Sequence, residues 1–530
     1  MKYLLAVSIG PVQEFIAAAR RCRDLWFGSH LLSEVSKAAA KRLAEHGDLI
    51  FPSTATRVDL DPGSDFTVVN KLLASVETDD IEGLMGEAQA AAHSCLEKAA
   101  DRRALQLRGL EIEWDRYAEQ LATILEFYAA WTPHTDYRSA RARVERLAAA
   151  RKALRHFPTH RGIAGEPKSS LDGVREHVIR RRSKALYQSN LKDNEWLDAI
   201  GVVKRFGGGY APFDSTLDVA AAPYVKGRIR SCPEVMRRYD EFLAKHGLHR
   251  RTYGLLYRHE SRQIFTDDEV DQADLKDIRE QLGREPSPPY YGFLVGDGDR
   301  MGEAISGIET VEAHKDFSRR LSGFASQARD LIDNQYEGCS IYCGGDDVVA
   351  LLPLHTALAC AQAVNKLFRG AMNRAVTFSA GLVIAHALEP LTEVREWARR
   401  AEGTAKREGN RDALCVAVHP RSGGDVKVVG KWHQLPGLLD RIVELYGDKE
   451  TKFSLGLAHE FRDLIARTED WEEMHEAVPD LATAIARRKQ CADEAVSLVG
   501  EYATDLGGLD RLCNAMLVAR PFARARKEAG

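Results

Sequence analysis

The chain has 530 residues, 44% of them hydrophobic and 29% charged, with a formal net charge of −4. That length exceeds a single core and points to roughly three or four domains with the composition of an ordinary soluble protein. Lys2 precedes only a short strand-like run and no long uncharged apolar stretch follows, which excludes a visible signal peptide or membrane span and leads us to expect a cytoplasmic protein. The 9 cysteines are scattered without a Cys-x-x-Cys pair, so neither a disulfide framework nor a four-cysteine zinc site has support. The near-neutral charge is uninformative about nucleic acid, because a global balance can conceal a local basic face.

In chain order, the first distinctive segment is Ser8-Ile9-Gly10-Pro11-Val12-Gln13-Glu14-Phe15-Ile16, followed by Arg20-Arg21-Cys22-Arg23-Asp24-Leu25-Trp26. Two basic stretches come next. Arg138, Arg141, Arg143, Arg146, Arg151, Lys152, Arg155 and Arg161 form one, and Arg180, Arg181, Arg182 and Lys184 the other. Each reads first as a solvated helix face. Residues 191–285 mix apolar and charged residues with few strand signals and read as a helical connector.

Tyr290 to Gly296 then reads as a buried strand running into Asp297-Gly298-Asp299-Arg300-Met301-Gly302. The expected elements that follow are a helix over about 301–332, strands at 338–343 and 347–353, a helix at 356–371, a strand at 375–385, a helix at 390–407 and a strand at 412–418. The last helix is supported by Leu391, Val394, Trp397, Ala398, Ala401 and Ala405 at helical spacing. Between the two central strands lies Cys343-Gly344-Gly345-Asp346-Asp347, and glycines there accept the positive φ of a tight hairpin. Two carboxylates therefore land on an exposed turn, where they repel each other unless cations lie between them. Gly-Gly-Asp is also ordinary turn chemistry, and Cys343 reads as a small buried strand residue.

A βαββαβ order with its hairpin in the middle is ferredoxin-like, and in that fold the end of the first strand lies beside the central hairpin. Asp297 would then converge with Asp346 and Asp347 and supply oxygen ligands from two segments to Mg²⁺ or Mn²⁺, with the Gly298 carbonyl as a further ligand. The opening segment repeats this pattern: Val7 falls on Val295, Ile9 on Asp297 and Gly10 on Gly298. The first copy has an isoleucine in place of the carboxylate and no Gly-Gly-Asp-Asp hairpin, so no catalytic metal is expected there. Residues 429–530 read as a helical bundle, with Leu435, Leu438, Leu439, Ile442 and Leu445 at helical spacing.

Asp297 at a strand end, the Gly344-Gly345-Asp346-Asp347 hairpin and the later Ala405-Lys406-Arg407-Glu408-Gly409-Asn410-Arg411-Asp412 resemble the palm domain shared by nucleotidyl cyclases of the GGDEF type and by the large subunit of type III CRISPR effector complexes. Gly-Gly-Asp-Asp favours the CRISPR subunit. The opening segment, Val69-Asn70-Lys71, Lys168-Ser169-Ser170-Leu171-Asp172-Gly173 and Ala199 to Phe206 are similar to that subunit in the III-B branch. The resemblance extends from residue 8 to residue 418.

It implies an α+β fold with two ferredoxin-like (palm, nucleotidyl cyclase-like) domains. Residues 1–190 are then a degenerate first palm, 191–285 the connector, 286–428 the second palm and 429–530 a C-terminal bundle. It further implies an RNA-guided antiviral subunit that works with the other effector subunits, guide RNA and target RNA and with no membrane. That subunit converts ATP to cyclic oligoadenylates, with Asp297, Asp346 and Asp347 as catalytic metal ligands. Gly298, Gly344, Gly345 and Lys406 would lie against the nucleotide. The alternatives are a non-catalytic, RNA-positioning subunit, a synthase joining ATP to S-adenosylmethionine, and a standalone diguanylate-type cyclase. Many relatives carry a zinc cluster in the middle helical region; here that region offers only Cys232, His246, His249 and His259, so no zinc is expected. The chain contains no His-Asp dipeptide, and single-stranded DNase activity is not expected.

Overall fold

A computed structural model describes the chain except residues 102–104, 106–109, 155–161, 182–190, 192–194, 208–212, 258–271, 448–452, 455 and 469–471. The first sheet centres on β1 (Lys2–Gly10), which pairs antiparallel with β3 (Lys71–Glu77) and with β5 (Glu126–Pro133). β2 (Gly47–Phe51) completes the order β2-β3-β1-β5, and β4 (Glu111–Ile112) with β6 (Ile179–Arg181) forms a separate ribbon. The second sheet holds β7 (Tyr290–Gly298), β8 (Cys339–Gly344), β9 (Asp347–Leu352), β10 (Phe378–His386), β11 (Ala413–His419) and β12 (Val426–Lys431), in the order β12-β11-β10-β7-β9-β8.

Its four strands β8-β9-β7-β10 have the same connectivity as β2-β3-β1-β5, the ferredoxin-like order in both cases. The repeat extends to register. β1 and β7 are each nine residues long and each ends in glycine. Ile9 lies opposite Phe127 on β5 as Asp297 lies opposite Ser379 on β10.

Helices bury their apolar stripes on both faces of each sheet. Cys22–Ala44 and Ile81–Ala99 pack one face of the first sheet, and Tyr137–Ala153 packs the other. On the second sheet Val311–Asp330 and Leu354–Ala371 share one core, while Leu391–Arg407 covers the opposite face through Leu391, Val394, Ala398, Ala401 and Ala405. That last helix lies so close to β10 that a Cβ at Gly381 would sit 2.4 Å from Glu402 N and 2.6 Å from Ala398 O. Only glycine allows this approach, and it fixes which helix face overlooks the end of the sheet.

Three expected boundaries differ. The helix expected over 301–332 is interrupted. Met301–Ser306 ends where the buried Arg141 guanidinium donates to the carbonyls of Ser306 and Ile308, at 2.9 Å each, and Val311–Asp330 restarts with Thr310 as its cap. Helix Ala199–Phe206 belongs to the first core and not to a connector. Burial holds it there together with Arg205, which donates to Asp24 at 2.7 Å and to Glu195 at 3.0 Å. β12 runs across the expected 428/429 boundary. The C-terminal helices begin beyond it at Leu435 and close with Leu506–Ala529, and Trp432 Nε1 donates to Phe378 O at 2.7 Å.

The basic stretch at Tyr137–Ala153 exposes Arg143, Arg146, Arg151 and Lys152, as a solvated face does, but buries Arg141 as an inter-palm clamp. Arg155, Arg161, Arg182 and Lys184 lie outside the described residues. Further bonds join the palms: Ser53 N to Ser318 Oγ at 2.7 Å, Tyr137 Oη to His314 Nδ1 at 2.6 Å, and Arg329 to Thr67 Oγ1 at 2.8 Å. Among the described residues no helix is long and apolar enough to cross a membrane.

Because backbone atoms of two helical turns and the rigid Cβ of Ala401 meet the missing Cβ, Gly381→Ala has no flexible side chain to displace and must push Leu391–Arg407 off the sheet. We expect a loss of about 1–3 kcal/mol, read as a lower unfolding midpoint in denaturant. Unchanged stability would show that the helix shifts freely.

Candidate functional site

β7 pairs with β9 with Gly296 opposite Val348, so one further step places Asp297 beside Asp347 at the end of the sheet. Two residues, Gly345 and Asp346, connect β8 to β9, and Gly345 takes φ +63°. A Cβ there would meet nothing closer than Val69 Cγ1 at 3.6 Å, so glycine is required by the turn and not by space. The hairpin tip thereby lies beside Val69 of the first palm.

Opposite the hairpin, Lys406 Nζ forms an ion pair with Asp297 Oδ2 and another with Glu402 Oε1 at 2.6 Å. Burial and then the Asp297 carboxyl push the Asp346 carboxyl up to about 7. Asp347 is raised well above the usual carboxylate range by burial, Asp346 and Asp297 in that order, with Lys406 only partly offsetting them. By accessible area Asp347 is exposed, yet the water it meets is that of a cleft walled on several sides by protein, so the direction of its shift stands. Burial lowers the Lys406 ammonium's affinity for its proton, but hydrogen bonds to Asp297 and Glu402 outweigh it and raise the group above an ordinary lysine. The Tyr342 phenol is raised by burial and by Asp347 and Asp346.

The cleft measures about 1510 Å³ and lies between the palms. Asp297, Tyr342 and Asp347 line it from the second palm, and Ile9, Val69 and Asn70 face them from the first. By register Asn70 occupies the place in the first sheet that Asp347 holds in the second, since Ser8 pairs with Lys71 and Ile9 N donates to Asn70 O at 2.9 Å. The first palm thus has Ile9, Val69 and Asn70 where the second has Asp297, Asp346 and Asp347.

Asp299, two residues beyond Asp297, has a different task. It is 2% exposed and accepts from Thr377 Oγ1 at 2.7 Å, Ser379 Oγ at 2.8 Å and Asp412 N at 3.0 Å. It ties the strand end to Asn410, Arg411 and Asp412, all three in the left-handed region at φ +50°, +56° and +44°.

Of the expected site residues, Asp297, Asp346, Asp347 and Lys406 come together. Gly298 and Gly344 are buried at the ends of β7 and β8, and a Cβ at Gly344 would sit 2.5 Å from Tyr342 Oη. Sequence reasoning did not single out Glu402, Arg399 or Arg395. Their signal was present in the spacing of four, seven and eleven residues back from Lys406, which places all four on one helix face. Of the region considered for zinc, Cys232 closes helix Thr216–Ser231 and His249 lies 3.6 Å from Asp214, while His259 is outside the described residues.

Among the described residues no group of three or more His, Cys, Asp or Glu side chains stands arranged around a common ion position, and Lys406 engages Asp297. The donor set nevertheless fits a hard divalent cation: two carboxylates pushed toward protonation by burial and mutual repulsion are relieved by positive charge.

Residues 290–415 match the family profile described as Cas10/Cmr2, second palm domain, and residues 4–117 match the one described as CRISPR-associated protein Cmr2, N-terminal. The CRISPR system Cmr subunit Cmr2 of Pyrococcus furiosus is 25% identical over 546 aligned positions, which cover 79% of this chain and 62% of that relative. The chain therefore spans less than two thirds of that relative's length. Among solved structures, the type III-B Cmr-beta complex aligns over 98% of this chain in its apo state, with a TM-score of 0.67 at 12% identity over 82% of the other chain. Its form bound to cognate target RNA gives the same score over 83%. A Csm1–Csm4 cassette in complex with cA4 aligns with a TM-score of 0.51 at 14% identity, over 98% of this chain and 70% of the other. At these identities the structures establish the fold.

The raised carboxyls have a consequence for stability in metal-free buffer. Folded Asp346 titrates near 7 and an unfolded aspartate near 3.8, so between those values the folded chain binds more protons and its stability falls as pH rises. We expect Asp346→Asn to flatten the decline of melting temperature between pH 5 and 8. Mg²⁺ added at pH 8 should raise the melting temperature of the native protein but not of an Asp346→Asn, Asp347→Asn variant. Identical pH slopes would contradict the assigned repulsion.

Proposed function

The chain belongs to the Cas10/Cmr2 family, and on that premise we propose that its second palm joins ATP molecules into cyclic oligoadenylates when a type III-B effector complex containing it binds target RNA. The observation that carries this reading is the convergence of Asp297, Asp346 and Asp347 at the end of one sheet, with Asp297 and Asp347 on the wall of a cleft between two palms.

In the reaction proposed, the 3′-oxygen of one nucleotide forms a bond to the α-phosphorus of another as the α–β bond breaks. Pyrophosphate leaves with the electron pair and the hydroxyl proton passes to solvent. Asp346, Asp347 and Asp297 would hold Mg²⁺ or Mn²⁺, which when bound supplies a lowered hydroxyl pKa and neutralises the leaving group. Each remaining contribution is made by the chain itself. The β8–β9 turn presents Asp346 and Asp347 from a rigid mount. Lys406 fixes the Asp297 carboxylate toward the cleft and keeps a positive charge beside the reacting phosphates. Ile9, Val69 and Asn70 offer no carboxylate, so the first palm supplies a wall that positions the acceptor, and the chemistry is confined to the Asp297 side.

Two experiments test this reading. Replacing Asp346 and Asp347 together by Ala should abolish oligoadenylate formation from labelled ATP in the assembled complex while target RNA binding is retained; undiminished product would exclude these residues as metal ligands. Ile9 is fully buried, so Ile9→Ala should cost about 2–5 kcal/mol of stability, whereas Asp297→Asn should reduce turnover with little change in melting temperature. A fully stable but inactive Ile9 variant would overturn the asymmetry between the palms.

A further inference from the structure

Helix Leu391–Arg407 carries four charged side chains at positions 395, 399, 402 and 406, a spacing that sets them along one face. Arg395, Arg399 and Glu402 line the inter-palm cleft, and Lys406 reaches its edge through Asp297. The charges divide into two groups. Lys406 is shared between Glu402 and Asp297 at the carboxylate end.

Arg395 and Arg399 are not balanced in this way. Arg399 donates to the neutral Gln13 Oε1 at 2.7 Å, at the start of the short helix Gln13–Ala17 of the first palm. Arg395 pairs with the half-exposed Glu396 next to it at 3.0 Å, while its Nε is buried without a hydrogen-bond partner. Burial and the charge of Arg399 disfavour its protonated form against the pull of Glu396, and its charge also reaches buried Lys204, which donates at 3.0 Å to the carbonyl of Ala18 at the end of that short helix. Lys204 is balanced by Asp198, Asp24 and Asp172, which leaves the two guanidiniums, one with an unpartnered Nε and one on a neutral amide, as the cations at this end of the cleft with bonding capacity to spare, and guanidinium forks suit phosphate oxygens.

We infer that Arg395 and Arg399 bind a triphosphate, namely the 5′-triphosphate of the nucleotide whose 3′-hydroxyl faces the carboxylates. The inference rests on the nucleotidyl-transfer reading of the cleft. At a helical rise of about 1.5 Å per residue the two arginines lie roughly 10 and 16 Å along the axis from Lys406, a span that leaves room for a nucleoside between the reacting centre and the arginines. The cleft volume of about 1510 Å³ also exceeds the roughly 300–1,000 Å³ of a single small-molecule pocket, as two nucleotides require.

The test is calorimetric titration of the full chain with inorganic tripolyphosphate at low salt. Tripolyphosphate carries no nucleoside and undergoes no transfer, so the result stands apart from whether the protein makes oligoadenylates. The native chain and an Asp346→Ala, Asp347→Ala variant should bind it alike. Arg395→Gln, Arg399→Gln should weaken binding about tenfold or more, and Arg395→Lys, Arg399→Lys should retain part of it. Melting temperature confirms folding, and Arg143→Gln, Arg146→Gln, on an exposed helix face, controls for general charge and should bind as the native chain does. Absence of binding by the native chain, equal binding by the Arg395/Arg399 glutamine variant, or equal loss in the Arg143/Arg146 control would each overturn the assignment.

Discussion

The antiparallel register of β7 against β9 is the constraint from which the site follows. It sets Asp297 beside the Asp346–Asp347 turn and so concentrates three carboxylates at one sheet end. Such a cluster opposes folding at neutral pH unless positive charge is delivered to it. Delivery depends on a second constraint, the close approach of Leu391–Arg407 to β10 at Gly381, which brings Lys406 to Asp297 and Glu402 behind it. The same strand end needs a third support. Asn410, Arg411 and Asp412 adopt left-handed backbone that costs non-glycine residues about 1–3 kcal/mol each. Asp299, Lys431 and Arg369 hold that loop, with Lys431 Nζ donating to Asn410 O at 2.9 Å and to Arg411 O at 2.7 Å and Arg369 lying 3.2 Å from Asp412. The turn after the helix is thus bonded directly to the strand that bears Asp297.

Two sheets with one wiring and different ends make a cleft with unlike walls. Equal strand lengths and matched registers place Ile9, Val69 and Asn70 where Asp297, Asp346 and Asp347 stand in the second copy. Ile9 is fully buried in the first core, so the repeat kept the geometry of the strand end and changed its chemistry. The palms meet through an apolar core, in which Ala19, Cys22 and Leu25 of the first share a cluster with Cys339, Ile341 and Leu351 of the second, and through specific polar contacts: Arg141 on two carbonyls, Tyr137 on His314, Ser53 on Ser318. The apolar core supplies stability and the polar contacts fix relative position, which suits a site whose two walls must face each other.

Much of this was legible in the sequence. The apolar run of β7, the hairpin glycines and the helical spacing of Leu391 to Ala405 are local signals, and local signals survive folding. They placed Asp297, Asp346 and Asp347 together through a single topological rule. The partition at Phe206 was not legible, because an apolar helix carries no mark of the sheet it will cover. Nor was the break before Val311, since the cause is an arginine 165 residues earlier in the chain donating to Ser306 O. Glu402, Arg399 and Arg395 escaped notice because a charged stripe opposite an apolar one reads as a solvated face; only the first palm's position turns that face inward. Lys406 was legible as a cation near the site but not as the partner of Asp297, for pairing depends on the helix-to-strand distance that Gly381 sets.

The charge order along that helix carries the argument one step further. Reading from its C-terminal end, the face presents a cation beside the carboxylates, an anion that helps hold it, and then two arginines beside the short helix Gln13–Ala17 of the first palm. A single rod thus relates the carboxylate cluster to the first palm's helix Gln13–Ala17. Arg399 reaches Gln13 across the palm interface, while Lys204, from the helix buried in the first core, holds the Phe15 and Ala18 carbonyls of the same segment. A displacement of one palm against the other would move Gln13 relative to Arg399, and it would move Val69 relative to the hairpin tip, while the ion pair of Asp297 with Lys406 lies wholly within the second palm.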